Sequence, residues 1–134
     1  MFRVATDALP LLHAMLSRND FRVVELDGAR MTSRSGAHAE LAFAFAFPDY
    51  YGNNWDAFND CLGDYVEEHH GERIAVVWHN IAVAAAAAPV TTAEVGWALL
   101  EGDFGHMPTF APGTTWRVQL AIFAVGDGPD FDRP

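Results

Sequence analysis

Residues Ile74 to Trp78 (Ile-Ala-Val-Val-Trp) form a continuous apolar run. A run of this kind predicts a central strand, covered by other elements on at least one face. Two more strand patterns accompany it. Phe21–Leu26 (Phe-Arg-Val-Val-Glu-Leu) is closed by the turn Asp27-Gly28, and Arg117–Val125 follows a Gly- and Pro-rich stretch. Helical patterns separate the three. Strands that alternate with helices need crossover connections, which make the sheet parallel. The expected fold is α/β, a small three-stranded parallel sheet with helices packed against it and an extra N-terminal helix.

The 134 residues suit one domain, large enough to bury a core without staples. We expect a core over about 20–125, an N-terminal extension over 1–19 and a tail over 126–134. Residues 5–18 read as a short helix, capped by Thr6 or Asp7, with Pro10 tolerable in its first turn and Leu9, Leu12 and Leu16 on a buried stripe. The extension is expected to pack on the core; a loose interaction arm is the alternative. Thr32 or Ser33 caps a second helix running to about Ala46. Its end, Leu41-Ala-Phe-Ala-Phe-Ala-Phe47, alternates large and small as a strand would. Alanine nevertheless favours helix over strand, Pro48 supplies a stop, and Ala37, Leu41, Ala44 and Phe45 form a helical stripe, so helix is chosen.

Asn53 or Asn54 caps the next helix, which is expected to end by Gly63. Residues 66–71 read as a polar loop or a frayed turn, and Ile81–Ala88 as a connector or short helix. Thr91 or Thr92 caps a helix to about Leu100, with Val95, Leu99 and Trp97 turned partly inward. Asp103–Thr115 reads as a loop. Trp78, Trp97 and Trp116 are expected in the core.

Net charge is −10, from 18 acidic and 8 basic residues. Such a balance argues against nucleic acid and anionic membranes as partners, and favours a basic protein. Cys61 is the single cysteine, which excludes an intramolecular disulfide, and it reads as a small buried apolar residue. No secretory signal is visible, and no run is long enough to span a membrane, so a cytoplasmic protein is expected. Glu67, Glu68, His69 and His70 lack the spacing of a metal site, and no cofactor is expected. His79 reads as a strand-end residue that could reach the rim of a site.

The densest chemistry lies in Pro48-Asp-Tyr-Tyr-Gly-Asn-Asn-Trp-Asp-Ala-Phe-Asn-Asp-Cys-Leu62. On a helix, Trp55, Phe58 and Leu62 share one side, while Asp56 and Asp60 share another, one turn apart. Like charges at this spacing cost about 0.2–0.5 kcal/mol, and folding does not ask for them. A cationic partner would. A solvated acidic face is the plain alternative. Gly52 is expected to serve a φ > 0 conformation or a close approach.

Residues 48–62 resemble the signature of the barstar-like ribonuclease inhibitors, P-x-Y-Y-G-x-N-x-D-A-x-x-D-C-L, without a gap. The register extends back to about Leu26, and the later strands match in pattern only. The resemblance implies a three-stranded parallel sheet with helices packed against it. It also implies that Asp56 and Asp60 lie on an inhibitory helix that enters the active site of a guanyl-specific ribonuclease. Asp60 would stand where a substrate phosphate stands, since a carboxylate offers an arginine fork two acceptors as a phosphate does. Tyr50 would face the partner, whereas Tyr51 would be buried with its hydroxyl bonded. Asn54 would stabilise the turn, and Glu101 would be a further contact acid.

Asn59 and Gly63 depart from the family's best-known member, which has a tryptophan and a hydroxyl residue there. Both lie on the expected contact surface, so the partner need not be barnase. The implied contact set is Tyr50, Asn54, Asp56, Asn59, Asp60, Gly63 and Glu101. The implied partner is a basic ribonuclease or ribonuclease toxin, with no small-molecule substrate. Two alternatives stand beside this reading: an interaction or immunity module for a partner that is not a ribonuclease, and a small hydrolase using Asp56 and Asp60. The latter lacks any recognisable nucleophile–base pair or phosphate loop.

Overall fold

The structure, a computed structural model, describes residues 1–105 and 120–128. Four strands form one all-parallel sheet: β1 (Phe2–Ala5), β2 (Phe21–Asp27), β3 (Arg73–His79) and β4 (Leu120–Gly126). Their spatial order is β1-β4-β3-β2. Five α-helices are described: α1 (Leu9–Arg18), α2 (Arg34–Ala44), α3 (Trp55–Glu68), α4 (Ile81–Ala87) and α5 (Pro89–Gly105).

The α/β class and parallel pairing agree with the sequence reading, but the sheet has four strands rather than three. The extra one is β1, which a reading of residues 5–18 as a lone helix leaves out. Phe2-Arg-Val-Ala5 adds to the edge of β4, and Phe2 stacks on Phe123 at 5.3 Å between ring centres. The helix that follows is shorter than expected, because Thr6–Ala8 winds as a 3-10 turn before α1. Leu12 and Leu16 of α1 are buried, and they pack with Ala75, Val77, Phe123 and Val125 on one face of the sheet.

The larger core lies on the other face. Alternation along β3 sends Ile74, Val76 and Trp78 there, to meet Leu41 of α2 and Phe45 just past its end, Phe58, Leu62 and Val66 of α3, and Val95 and Leu99 of α5. A sheet covered on both faces explains why β3 carries no polar residue between Ile74 and Trp78.

Helix α2 begins at Ser33, whose Oγ accepts the Gly36 N–H at 3.0 Å. It ends at Ala44, two residues earlier than the sequence suggested. The Phe47 N–H reaches the Ala42 carbonyl at 2.9 Å and the Ala46 N–H reaches Phe43 at 3.2 Å, with Ala46 at φ 53°. This is a Schellman-type stop with alanine in the left-handed position that glycine ordinarily fills. The buried Glu40 of α2 accepts the Asp27 N–H at 2.8 Å and so fastens the helix to the end of β2.

Helix α3 corrects the expected stop at Gly63, and it continues to Glu68. Phe58, Cys61, Leu62, Tyr65 and Val66 keep one stripe against the core. Burying Val66 is worth about 1.5–3 kcal/mol, whereas glycine inside a helix costs about 1 kcal/mol. Half of the loop or frayed turn expected over residues 66–71, residues 66–68, is therefore helix, and 69–71 form a turn. Beyond it, His69 packs on Tyr65, and Arg22 Nε and Nη2 donate to Glu72 at 2.5 and 3.2 Å. The short helix option for Ile81–Ala88 holds as α4.

The loop expected from Asp103 begins inside α5, which runs to Gly105, and its remainder lies outside the described residues, as do Trp116 and the start of the last predicted strand. Gly126, placed in the tail, ends β4; residues 129–134 of that tail lie outside the described residues too.

Candidate functional site

The site is built around α3 and the loop that leads into it. Tyr51 turns inward from that loop. Its N–H bonds the Pro48 carbonyl at 2.9 Å, its ring packs on Phe47 at 5.1 Å, and its hydroxyl shares a 2.6 Å hydrogen bond with His38 Nδ1 on α2. Burial pushes the Tyr51 hydroxyl up to about 12. With Tyr51 anchored, its neighbour Tyr50 stands 82% exposed.

Asn54 starts α3. Its Oδ1 accepts the Ala57 N–H at 2.8 Å, while its amide donates to the Gly52 carbonyl at 3.1 Å. Both ends of the side chain are thus engaged in shaping the turn. The left-handed residue of this turn is Asn53, at φ 51°, rather than Gly52. Gly52 serves close approach instead: a Cβ there would lie 3.1 Å from the Asn54 amide.

An aromatic layer fixes the rotation of α3. Phe58 packs edge-on to Trp55, Phe45 and Phe47, and Tyr65 packs edge-on to Phe45. With that side buried, the opposite side presents Asp56, Asn59 and Asp60, all exposed, with Gly63 half-buried beside them. Asp64 extends the acids by one further turn. Asp56 sits in the first turn, where the helix dipole favours an anion. Cys61 is buried; burial first, then Asp64 and Asp60, push its thiol above the usual range. The environment disfavours the thiolate that a nucleophile needs.

Trp55 ties α3 to its neighbours. Its indole Nε1 donates to Glu94 Oε2 on α5 at 2.6 Å, and His38 packs on its ring at 4.5 Å. His38 is 1% exposed and its Nε2 has no hydrogen-bond partner among the described residues. Burial, then the charge of Arg34, hold the His38 ring below its ordinary pKa.

Between α3 and α5 lies a cleft of about 670 Å³. Trp55, Phe58 and Asn59 form one wall; Val90, Glu94, Trp97 and Glu101 belong to the other. Two sequence-chosen contact residues from different helices, Asn59 and Glu101, therefore share a cavity. Asp56 and Asp60 do not line it; both are exposed on α3.

Trp97 is the main correction here. It is 71% exposed, whereas Val95 and Leu99 are fully buried. At 100° per residue, position 97 lies 200° from both, which is the signal that reading it as core passed over. Val90, Glu94, Trp97 and Glu101 recur at helical spacing and form the cleft side of α5. Trp78, by contrast, is buried as expected. Asp64 and Glu94 were not singled out by sequence, because only their neighbours in space reveal them.

His79 does not join this surface. Its Nε2 lies 3.3 Å from Glu25, in a second cavity of about 400 Å³ at the ends of β2 and β3, with Asp27, Glu40 and Asn80. Among the described residues no group of three or more His, Cys, Asp or Glu is arranged to hold a metal ion, and no helix is long and apolar enough to cross a membrane.

The family described as Barstar (barnase inhibitor) matches residues 21–101, more than half of the chain, from the first residue of β2 to Glu101 of α5. No curated protein matches the chain.

Proposed function

The chain belongs to the barstar family of barnase inhibitors, and from that premise we propose that it inhibits a guanyl-specific ribonuclease or ribonuclease toxin by covering the enzyme's active site with α3. The observation that carries this reading is the pair Asp56 and Asp60. Both are exposed, one turn apart, on a helix whose other side is locked into the core by aromatic packing. Each carboxylate can accept a bidentate pair of hydrogen bonds from an arginine, as a substrate phosphate would.

Tyr50, 82% exposed in the loop that leads into α3, offers an aromatic to the same partner, and aromatic groups next to desolvated charges make up many interface hot spots. Asn59 and Glu101 line the cleft next to α3 and Gly63 is half-buried on α3, whereas Asn54 acts by setting the start of the helix. The net charge of −10 complements a basic enzyme and would speed encounter at low salt.

The test is inhibition of purified guanyl-specific ribonucleases, barnase among them, by the full chain and by Asp60→Ala. We expect at least one enzyme to be inhibited, with an association rate that falls as ionic strength rises to physiological. Inhibition of none of them, or an association rate indifferent to salt, would overturn the reading. Capture of a partner without ribonuclease activity would assign the fold to a different interaction.

A further inference from the structure

The cleft between α3 and α5 has apolar walls and an acidic rim. Trp55 and Phe58 face Val90 and Trp97 across it, and Glu94 and Glu101 stand on the α5 side. Its volume, about 670 Å³, falls within the ~300–1,000 Å³ of ordinary ligand sites. Trp97 and Val90 are each 71% exposed, which leaves large apolar area open to water on a helix whose other side is fully buried.

The floor and the rim ask for different chemistry. A cation pushed against the apolar floor would lose its hydration, and Glu94 already accepts the Trp55 indole proton at 2.6 Å. An apolar group meets no such cost. Among the described lining residues none is Lys or Arg, and the two charged ones, Glu94 and Glu101, are both acidic. A second copy of this chain, itself at −10, would bring like charge to that rim. A basic protein brings the opposite charge. The cleft is also continuous with α3's acidic face, because Asn59, next to Asp60, lines it.

We propose that the cleft receives a large apolar side chain of the basic partner, flanked by cationic residues that meet Glu94 and Glu101, with Trp97 as its main contact. This rests on the inhibitor reading and adds to it an apolar anchor on α5, where Asn59 leaves α3 without one.

The test is an NMR titration of the full chain, following the Trp97 indole N–H, identified from its loss in Trp97→Phe. The probes are three blocked peptides: Gly-Arg-Phe-Arg-Gly, the same with Ala for Phe, and the same with Glu for both Arg. We expect a saturable shift with the first and at least about tenfold weaker binding of the other two, the Ala peptide through loss of a buried aromatic side chain and the Glu peptide through like charge against Glu94 and Glu101. The response should survive in Asp60→Ala and vanish from the Trp55 indole in Trp97→Ala. Equal responses to the three peptides, or none, would overturn the proposal, the latter meaning that the chain's own residues close the cleft. A Trp97 signal that changes when the chain alone is diluted would assign the cleft to a second copy and overturn it too. A failed titration alongside inhibition that Asp60→Ala abolishes would remove the anchor and leave the inhibitor reading standing. A successful titration with no ribonuclease inhibited would do the reverse.

Discussion

His38 and Tyr51 share a 2.6 Å hydrogen bond beneath the start of α3, and the other nitrogen of His38 is sealed from water with no partner among the described residues. Trp55 covers the imidazole, and the groups that bear on its charge are Arg34, which opposes protonation, and Glu94, which favours it. The folded pKa lies below the ordinary 6.5. Above that value both folded and unfolded chains carry neutral histidine, and this group leaves stability flat. As pH falls below it, the unfolded chain takes the proton first, and stability is lost until the folded pKa is passed. Urea midpoints should therefore decline from about pH 6.5 downwards, ahead of any loss from Asp27 and Glu72. Hydrogen bonds from Asn80 and Arg22, respectively, hold those two below the ordinary carboxylate range. His38→Phe keeps a ring against Trp55 and should flatten the decline just below pH 6.5. An unchanged slope would show that another group controls it.

Ala46 occupies a left-handed position, at φ 53°, in the stop between α2 and the Tyr50–Tyr51 loop. The methyl group works against that conformation, while glycine adopts it without strain. Ala46→Gly should raise stability by about 0.5–1 kcal/mol in chemical denaturation, despite the extra freedom it gives the unfolded chain. A destabilised variant would mean that the entropy of the unfolded chain outweighs the relief of strain.

Asn54 acts through the helix it starts. Asn54→Ala should cost about 1 kcal/mol of stability, within the range of ~0.5–2 for lost caps, and Asn54→Ser should restore most of it. If the side chain instead touches the partner, Asn54→Ser would fold normally and still bind poorly. Denaturation and binding measured on the same two variants separate the roles.

Asp60→Ala should weaken partner binding more than any other single truncation, by about 2–5 kcal/mol, with Asp56→Ala and Tyr50→Ala next. The loss arises largely from a partner cation left buried without its counter-charge. Folding should hold or improve slightly, since both aspartates are exposed and repel each other along α3. Calorimetric titration together with thermal unfolding checks both halves, and normal binding by Asp60→Ala would limit the family likeness to the fold.

Asn59 is the expected determinant of partner choice. It lines the cleft that Trp97 faces, and a tryptophan there would fill part of it. Asn59→Trp should shift preference toward barnase, with an apolar gain of up to about 1.5–3 kcal/mol and no change in fold. Unaltered Asn59 should inhibit barnase weakly or not at all. Inhibition constants for both forms against the same enzyme decide it.

The elements of the sheet were legible because their causes are local. The Ile74–Trp78 run needs cover on both faces, and Pro48 with the alanines of α2 outweighs a strand-like alternation. The acids of α3 were legible for the same reason: helical spacing alone separates Asp56 and Asp60 from Phe58 and Leu62. What escaped depends on distant partners. Phe2–Ala5 is a strand only because β4 offers an edge, and α3 passes Gly63 because Val66 finds the core. Trp97 is a different case. Its exposure follows from its angle to Val95 and Leu99, and an expectation that large aromatics belong inside overrode the geometry.

The place of β1 in the sheet orders events during synthesis. Its one neighbour among the described residues is β4, with Phe2 set opposite Phe123, so the first of the described strands to be synthesised has nothing to bond until nearly all the described chain has followed. β2 and β3 can pair earlier, over a shorter separation that α2 and α3 bridge. Closing the β1–β4 edge needs contact between the most distant parts of the described chain, which is the slowest kind of step in forming a parallel sheet. A nascent chain stalled before Leu120 would therefore hold β2 and β3 together while Phe2 and its neighbours wait in solvent for a chaperone or for the rest of the message.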